Sequence, residues 1–304
     1  MHRLLVLSKH ASAYRDLVAA AQLPDLQFVD APSGDVDIVF GEPSLIRPAL
    51  PQLTAVRWVQ STWAGIEPLL DPSLRRDYVL TNARGVFGPL MTEYVFGYML
   101  AHERRMFDKH ASQQARRWDP TPPGTLRGKQ IGLIGVGTIG ASLARMAKQF
   151  AMRVKGYTRA SESCADVDAY FHGDDRLAFA ADLDYLVAVA PNTKRTRRLV
   201  DAALLAALPT RAVFINPGRG SVVDERALVD ALEAGRLAGA VLDVFEQEPL
   251  PPDHVLWRAP GVVVTSHTAA LSFPPDIAPL FIDNYRRFAA GRPLRYQVNL
   301  DEEY

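Results

Sequence analysis

Residues Lys129–Phe150 read KQIGLIGVGTIGASLARMAKQF: a short apolar run, three glycines in the spacing GxGxxG, and a helix-like segment. Lys129–Ile134 (KQIGLI) has the character of a strand and Ala141–Phe150 (ASLARMAKQF) that of a helix. Gly135-Val136-Gly137-Thr138-Ile139-Gly140 therefore falls where a strand passes into a helix, the setting that separates a dinucleotide-binding loop from a chance glycine cluster. Gly135 permits a tight turn, the missing side chain at Gly137 lets the backbone approach a pyrophosphate, and Gly140 lets the helix pack close to the strand. The helix start, with Thr138 and Ile139, offers free amides and the positive end of the helix dipole to phosphates. A plain glycine turn is the bland alternative.

The next strand, Met152–Tyr157, ends where such a protein reads the ribose. A site for NAD wants Asp or Glu there to accept from the 2′-hydroxyl. This chain has Thr158, Arg159, Ala160 and Ser161, and no carboxylate before Glu162. Lack of an acid removes repulsion toward a 2′-phosphate, and the guanidinium of Arg159 offers it a planar fork of donors. NADPH in preference to NADH is the expectation; a solvent-facing Arg in a turn is the competing reading.

Outward from this unit, Val-, Ile- and Leu-rich runs recur between stretches of helical character. They are Leu4–Leu7, Val36–Phe40, Val56–Val59 and Tyr78–Leu80 in the first third, then Gln130–Ile134, Met152–Tyr157, Tyr185–Ala190, Ala212–Ile215, Gly239–Leu242 and Val262–Thr265. Short apolar runs alternating with helices predict βα units on mostly parallel sheets. Thr92–Arg117 reads as one long helix, Asp119–Gly128 (DPTPPGTLRG) as a loop, and Pro274–Gly291 as a last helix ending at a glycine. With 304 residues the chain has room for two domains, of about 150 residues each. The expected division is 1–98 with 273–304, and 99–272, the helices near 92–117 and 275–290 making the crossings.

Composition excludes several classes. Lys and Arg number 34 and so do Asp and Glu, so the chain lacks the excess charge of a nucleic-acid binder or a polybasic membrane anchor. Cys164 is the single cysteine, which rules out an intramolecular disulfide or a multi-cysteine zinc site. The N-terminal apolar run Leu4–Leu7 is too short for a signal peptide, and no run is long enough for a membrane helix, so a cytoplasmic protein is expected. There is no GxSxG, HExxH or CxxC spacing, leaving hydrolase and metal chemistry unsupported. The basic run Thr193–Arg198 (TKRTRR) reads as the solvated start of a helix.

Three further segments follow predicted strands: Ile215-Asn216-Pro217-Gly218-Arg219-Gly220, Leu242-Asp243-Val244-Phe245-Glu246-Gln247-Glu248-Pro249, and Thr265-Ser266-His267-Thr268. Ligands of open α/β sheets bind beyond the carboxyl ends of the strands, so polar residues there are placed for chemistry. With the glycine loop and the Pro191-Asn192-Thr193 turn, these segments resemble, in order and spacing, the D-isomer-specific 2-hydroxyacid dehydrogenase family, glyoxylate/hydroxypyruvate reductase type. The resemblance spans most of residues 60–300. It implies an α/β fold: a Rossmann dinucleotide-binding domain and a smaller flavodoxin-like substrate domain built from both chain ends. It also implies reduction of a small 2-oxo acid to the D-2-hydroxy acid with NAD(P)H, and a homodimer.

Within the family the Arg–Glu–His triad maps onto Arg219, Glu248 and His267; Glu246 is a second candidate acid that family spacing alone sets aside. Reducing a 2-oxo acid needs a hydride at the carbonyl carbon and a proton at its oxygen. Imidazolium gives up a proton near neutral pH, which suits His267. A carboxylate on its other ring nitrogen raises its pKa and fixes the ring, which suits Glu248. Arg219 would bind the substrate carboxylate and polarise the ketone. The resemblance further implies that Asp243 holds the nicotinamide carboxamide, and that Pro191, Thr196, Pro217 and Gly218 line the cofactor. No residue points to a metal.

In relatives the loop matching Gln60–Ile66 binds the substrate carboxylate through backbone amides, as Ala64-Gly65 would permit. Trp63 departs from the small residues common there, and either walls the pocket or packs between domains. Met91, Thr92 and Ser266 are modest departures from the family pattern. Trp118, after a basic helix, is a candidate for a dimer interface. Two other readings compete: a dinucleotide-sensing corepressor-like protein on the same fold, and a formate- or phosphite-type dehydrogenase.

Overall fold

In a computed structural model, which describes residues 1–300, the chain folds as two compact units. One comprises Met1–Val86 with the described residues from Ser272 onward; the other is Phe87–Leu271.

The first unit carries β1 (His2–Leu7), β2 (Leu26–Val29), β3 (Ile38–Gly41), β4 (Trp58–Ser61) and β5 (Val79–Thr81), all parallel, in the order β2-β1-β3-β4-β5. This is the flavodoxin-like order. The C-terminal helix Pro274–Ala289 returns to this sheet through Ile277, Phe281 and Tyr285. The ring of Phe281 stacks between Phe40 (centroids 4.5 Å apart) and Trp58 (5.1 Å). Gly291, at φ +63°, ends the helix in the left-handed conformation that glycine adopts without penalty. This unit is thus built from an N-terminal and a C-terminal stretch of the described residues.

The second unit carries β6 (Gln130–Ile134), β7 (Arg153–Tyr157), β8 (Ala169–Phe171), β9 (Tyr185–Ala188), β10 (Val213–Asn216), β11 (Gly239–Leu242) and β12 (Val262–Val264). They form a parallel seven-stranded sheet in the order β12-β11-β10-β9-β6-β7-β8, the Rossmann arrangement with one further strand. Its central strands are continuous apolar runs because both faces are covered. Leu186, Ala188, Phe214 and Leu242 enter one core, while Tyr185, Val187, Val213, Ile215 and Val241 enter the other. The helix Thr138–Gln149 buries Gly140, Leu143, Ala144 and Ala147, one face at helical spacing.

Four details differ from the sequence reading. Strands β2 and β8 were not anticipated; both are edge strands, only partly buried, and so lack a continuous apolar run. The long helix is two, Gly88–Glu103 and Met106–Gln114, separated at Arg104 and Arg105, the latter at φ +52°. The crossing falls at Val86–Phe87 rather than near residue 98, because Val95, Phe96 and Met99 pack into the core of the second unit and Thr92 meets Ser142 there at 3.1 Å. Thr193–Arg198 is a turn rather than a helix start, and Arg197 and Arg198 are paired with Glu246 at 3.3 and 3.7 Å.

Candidate active site

All seven strands of the second sheet run parallel, so the loops that follow them gather along one edge. Gly135 follows β6, Thr158 follows β7, Pro191 lies beyond β9, Pro217–Arg219 follow β10, Asp243 follows β11 and His267 lies beyond β12. Topology alone brings these segments together.

The glycine loop has the shape a pyrophosphate requires. Gly135 sits at φ +95°, and a Cβ there would lie 3.0 Å from the amide nitrogen of Ala190. A Cβ on Gly140 would lie 2.3 Å from the carbonyl oxygen of Gly135, so only glycine lets the helix start this near the turn. At Gly137, by contrast, a Cβ would meet nothing within 4 Å. Open space over that backbone, at the N-terminus of a 12-residue helix, is where a phosphate can approach. The cradle therefore fits a dinucleotide.

At the end of β7, the Thr158 hydroxyl donates to the carbonyl of Ser161 (2.7 Å), closing a turn around Arg159 and Ala160. Thr196 is committed to its own loop, its hydroxyl donating to the carbonyl of Pro191 (2.6 Å) and accepting from the amide of Thr193 (2.9 Å). It thus shapes the loop after β9.

His267 Nδ1 lies 2.7 Å from Glu248 Oε2, and Glu248 Oε1 accepts from the amide of Phe245 at 2.9 Å. The two carboxylate oxygens thus have separate duties, one fixing the acid to its loop and the other orienting the imidazole. The hydrogen bond to Glu248 holds the His267 imidazolium above its ordinary pKa; burial and the Arg219 charge oppose this, while the charges of Glu248 and Asp243 add to it. Burial pushes the Glu248 carboxyl up. The His267 and Phe245 hydrogen bonds and the charges of His267 and Arg219 outweigh it, leaving the acid below its usual range. The charge of Arg219 acts on both groups, which places the triad within one electrostatic neighbourhood.

Two further residues fix Arg219. Asn216, fully buried, donates from its side-chain amide to the Arg219 carbonyl (2.9 Å) and accepts from the Gly218 amide (3.2 Å). Gly220 lies so near the Phe245 backbone that a Cβ would fall 1.9 Å from its carbonyl carbon, which brings the Arg219 loop against the loop of Glu248. Asp243, 1% exposed, accepts from the Thr265 hydroxyl (2.5 Å) and the amides of Thr268 and Ala269 (both 2.9 Å), and its carbonyl accepts from the His267 amide (2.7 Å). Asp243 therefore holds the His267 loop, whose histidine stands at φ +55°. Tyr94 completes the chain at 2.8 Å from the Thr265 hydroxyl. Asn216 and Thr265 fall inside the segments singled out in the sequence but carry no role there, and Tyr94 lies outside them; Thr265 and Tyr94 act on partners 22 and 171 positions away, which spacing does not announce.

Trp63, Ala64 and Gly65 belong to the first unit, in the loop after β4. Buried Asn82 donates to the Ala64 carbonyl (2.8 Å), and the Ser61 hydroxyl bridges the amide and carbonyl of Trp63 (both 2.9 Å). The N–H groups of Ala64 and Gly65 donate to no acceptor among the described residues. Trp63 is 37% exposed. Among the described residues no group of three His, Cys, Asp or Glu side chains is disposed to hold a metal ion. No helix among them is long and apolar enough to cross a membrane.

Comparison with known proteins agrees with this geometry. A family model described as "D-isomer specific 2-hydroxyacid dehydrogenase, NAD binding domain" matches residues 96–269. A protein of Salmonella typhi named glyoxylate/hydroxypyruvate reductase A is 33% identical over 217 residues, 71% of this chain and 70% of that protein. A solved D-isomer specific 2-hydroxyacid dehydrogenase family protein from Aeromonas salmonicida superposes with a TM-score of 0.93 at 39% identity, covering 99% of each chain. A D-isomer specific 2-hydroxyacid dehydrogenase from Xanthobacter autotrophicus, solved with NADPH and MES, gives 0.91 at 30% identity, covering 100% of this chain and 99% of that one. The chain belongs to the D-isomer specific 2-hydroxyacid dehydrogenase family. It is an NAD(P)-dependent oxidoreductase.

Proposed function

We propose that the chain reduces a small 2-oxo acid of the glyoxylate or hydroxypyruvate kind to the D-2-hydroxy acid, with NADPH preferred over NADH. The observation that carries the reading is the 2.7 Å pairing of His267 with Glu248, within the field of Arg219, at the edge of the sheet that bears the glycine cradle. A reduced nicotinamide bound there supplies the hydride.

The chain's own residues do the rest. His267, kept as imidazolium by Glu248, holds a proton ready for the developing alkoxide oxygen. Arg219 binds the substrate carboxylate and polarises the carbonyl. Glu248 keeps the ring oriented and its charge compensated while the proton is held. Asp243 is offered as the anchor of the nicotinamide carboxamide, with Pro191, Thr196, Pro217 and Gly218 as lining for the cofactor. In the first unit, the amides of Ala64 and Gly65 have the disposition of an anion-receiving loop, and Trp63 stands beside them. The turn Thr158–Ser161, with Arg159 in it, is assigned to the 2′-phosphate.

A homodimer formed by the second unit, in a cytoplasmic enzyme, is part of the same reading. Met106, Phe107 and Trp118, the last 90% exposed, leave apolar surface on the helix Met106–Gln114 and the segment after it. The test of function is the initial rate of loss of reduced-nicotinamide absorbance, with NADPH and NADH each offered glyoxylate, hydroxypyruvate, pyruvate and phenylpyruvate. Turnover of a small 2-oxo acid with NADPH is expected. Faster turnover with NADH, or none with any acid, overturns the proposal.

A further inference from the structure

His172 directly follows the edge strand β8, and its ring lies between the two ends of the turn that follows β7. Nδ1 is 2.9 Å from the carbonyl oxygen of Thr158 and 3.2 Å from its hydroxyl, and Nε2 is 2.8 Å from Glu162 Oε1. A carbonyl and a carboxylate only accept hydrogen bonds, so both ring nitrogens must donate, and only the imidazolium has two N–H groups. The charged groups acting on the ring are Glu162, from the turn, and Asp175, from the 3₁₀ turn that follows His172. The ring of Tyr170 lies nearly parallel at 6.4 Å. Between the two bonded ends stand Arg159, Ala160 and Ser161.

We propose that His172 is a positioning residue for NADPH: as imidazolium it ties Thr158 to Glu162, holds the turn in its phosphate-receiving shape and neutralises the turn's own carboxylate. The inference rests on the assignment of that turn to the 2′-phosphate. The Glu162 hydrogen bond, followed by that to the Thr158 carbonyl, holds the imidazolium above its ordinary pKa despite burial, so the charged form persists to higher pH than in a free imidazole. Once neutral, the ring keeps one N–H and must release one end of the turn. Glu162 is then an uncompensated anion beside a phosphate dianion, and like charges repel. For NADH the sign differs, because a free carboxylate in this region can accept from a 2′-hydroxyl. A single proton thus biases the site between the two cofactors.

The experiment is a fluorescence titration of NADPH and of NADH, without a second substrate, between pH 7 and pH 9. The 2′-phosphate is already dianionic there, its second pKa being about 6, so any slope belongs to the protein. In the wild type the NADPH Kd should rise about tenfold across the window, the scale of one lost hydrogen bond to a charged group. The NADH Kd should stay level or fall. His172→Gln should bind NADPH weakly at both ends with no slope, while its NADH Kd stays level with or below that of the wild type. Glu162→Gln should keep NADPH tight with the slope reduced. If NADPH is preferred at pH 7 and His172→Gln keeps both the wild-type affinity and slope, the positioning role is overturned and the 2′-phosphate assignment survives. If the wild type binds NADPH no more tightly than NADH, that assignment falls and this proposal with it.

Discussion

In the five-stranded sheet the strand order reverses between β1 and β3; in the seven-stranded sheet it reverses between β9 and β6. A crevice for ligands is expected at the carboxyl end of both reversals. In the first sheet the chain fills it with its own groups. Glu42, 5% exposed, accepts from the Ser8 hydroxyl (2.8 Å) and the Lys9 amide (2.7 Å). Gly41 lies so near β1 that a Cβ would fall 2.1 Å from the Leu7 carbonyl oxygen. In the second sheet Gly135 turns away, the space over Gly137 stays open, and the buried carboxylate beyond β11, Asp243, anchors the loop that carries His267. The same winding rule yields a joint in one unit and a cradle in the other. Topology fixes where a site can be, and the residues at the switch point decide whether there is one.

Variants of the triad test that contrast most severely. His267→Ala should lower turnover about 10²- to 10⁴-fold, the usual contribution of a positioned acid, while the dinucleotide Kd from fluorescence titration stays near the wild-type value. A parallel loss of dinucleotide binding would make His267 part of the cradle and blur the division of labour. Next in size is Glu248→Gln. The His267 pKa is raised in the wild type, so reduction, which needs imidazolium, should be fully expressed at acid pH and lost as pH rises through that elevated value. Removing the acid's charge takes away the main support and leaves Arg219 opposing protonation, so the falling limb of kcat/KM should move to lower pH. An unmoved limb would show that another group sets the profile.

The two glycines sharpen the comparison within the cradle. Gly140→Ala pushes a methyl against the Gly135 carbonyl, an overpacking worth about 1–3 kcal/mol, and should lower the melting temperature. Gly137→Ala adds a methyl to open space, so the melting temperature should hold while NADPH binding weakens at least about tenfold. If both variants lose stability and neither loses affinity specifically, the loop is a plain structural turn.

Much of this could be read from the residues because function and fold both leaned on local patterns. Central strands such as β9 and β11 are apolar throughout, since both faces are covered, and glycine spacing records a turn that only glycine makes. The segments of Arg219, Glu248 and His267 follow strands and so declare themselves by position. Edge strands β2 and β8 were invisible because half of their surface meets solvent and their sequences lack a continuous apolar signature. Thr265 and Tyr94 were invisible for another reason: each is defined by a partner far along the chain, Thr265 meeting Asp243 across 22 positions and Tyr94 meeting Thr265 across 171. His172 belongs with them, its meaning set by a turn on the neighbouring strand. The break at Arg105 was missed because a left-handed residue other than glycine leaves no compositional mark.

The smallest expected effect concerns the filled switch point. Glu42→Ala leaves the Lys9 amide and the Ser8 hydroxyl without their acceptor, a loss of about 1.5–3 kcal/mol, the worth of a hydrogen bond to a charged group, and the melting temperature should fall accordingly. Glu42→Gln keeps an oxygen able to accept both bonds, so most of the stability should return. The charge of Glu42, secondary to burial, also raises the pKa of the Tyr14 phenol, so either variant should let that tyrosine ionise at lower pH in an ultraviolet titration. Dinucleotide affinity and the pH dependence of turnover should be unchanged in both, because Glu42 braces a sheet that holds none of the triad. Suppose instead that Glu42→Ala melts like the wild type and alters the KM for the 2-oxo acid. The first reversal would then be a ligand site as well, and Glu42 would be a recognition group rather than a plug.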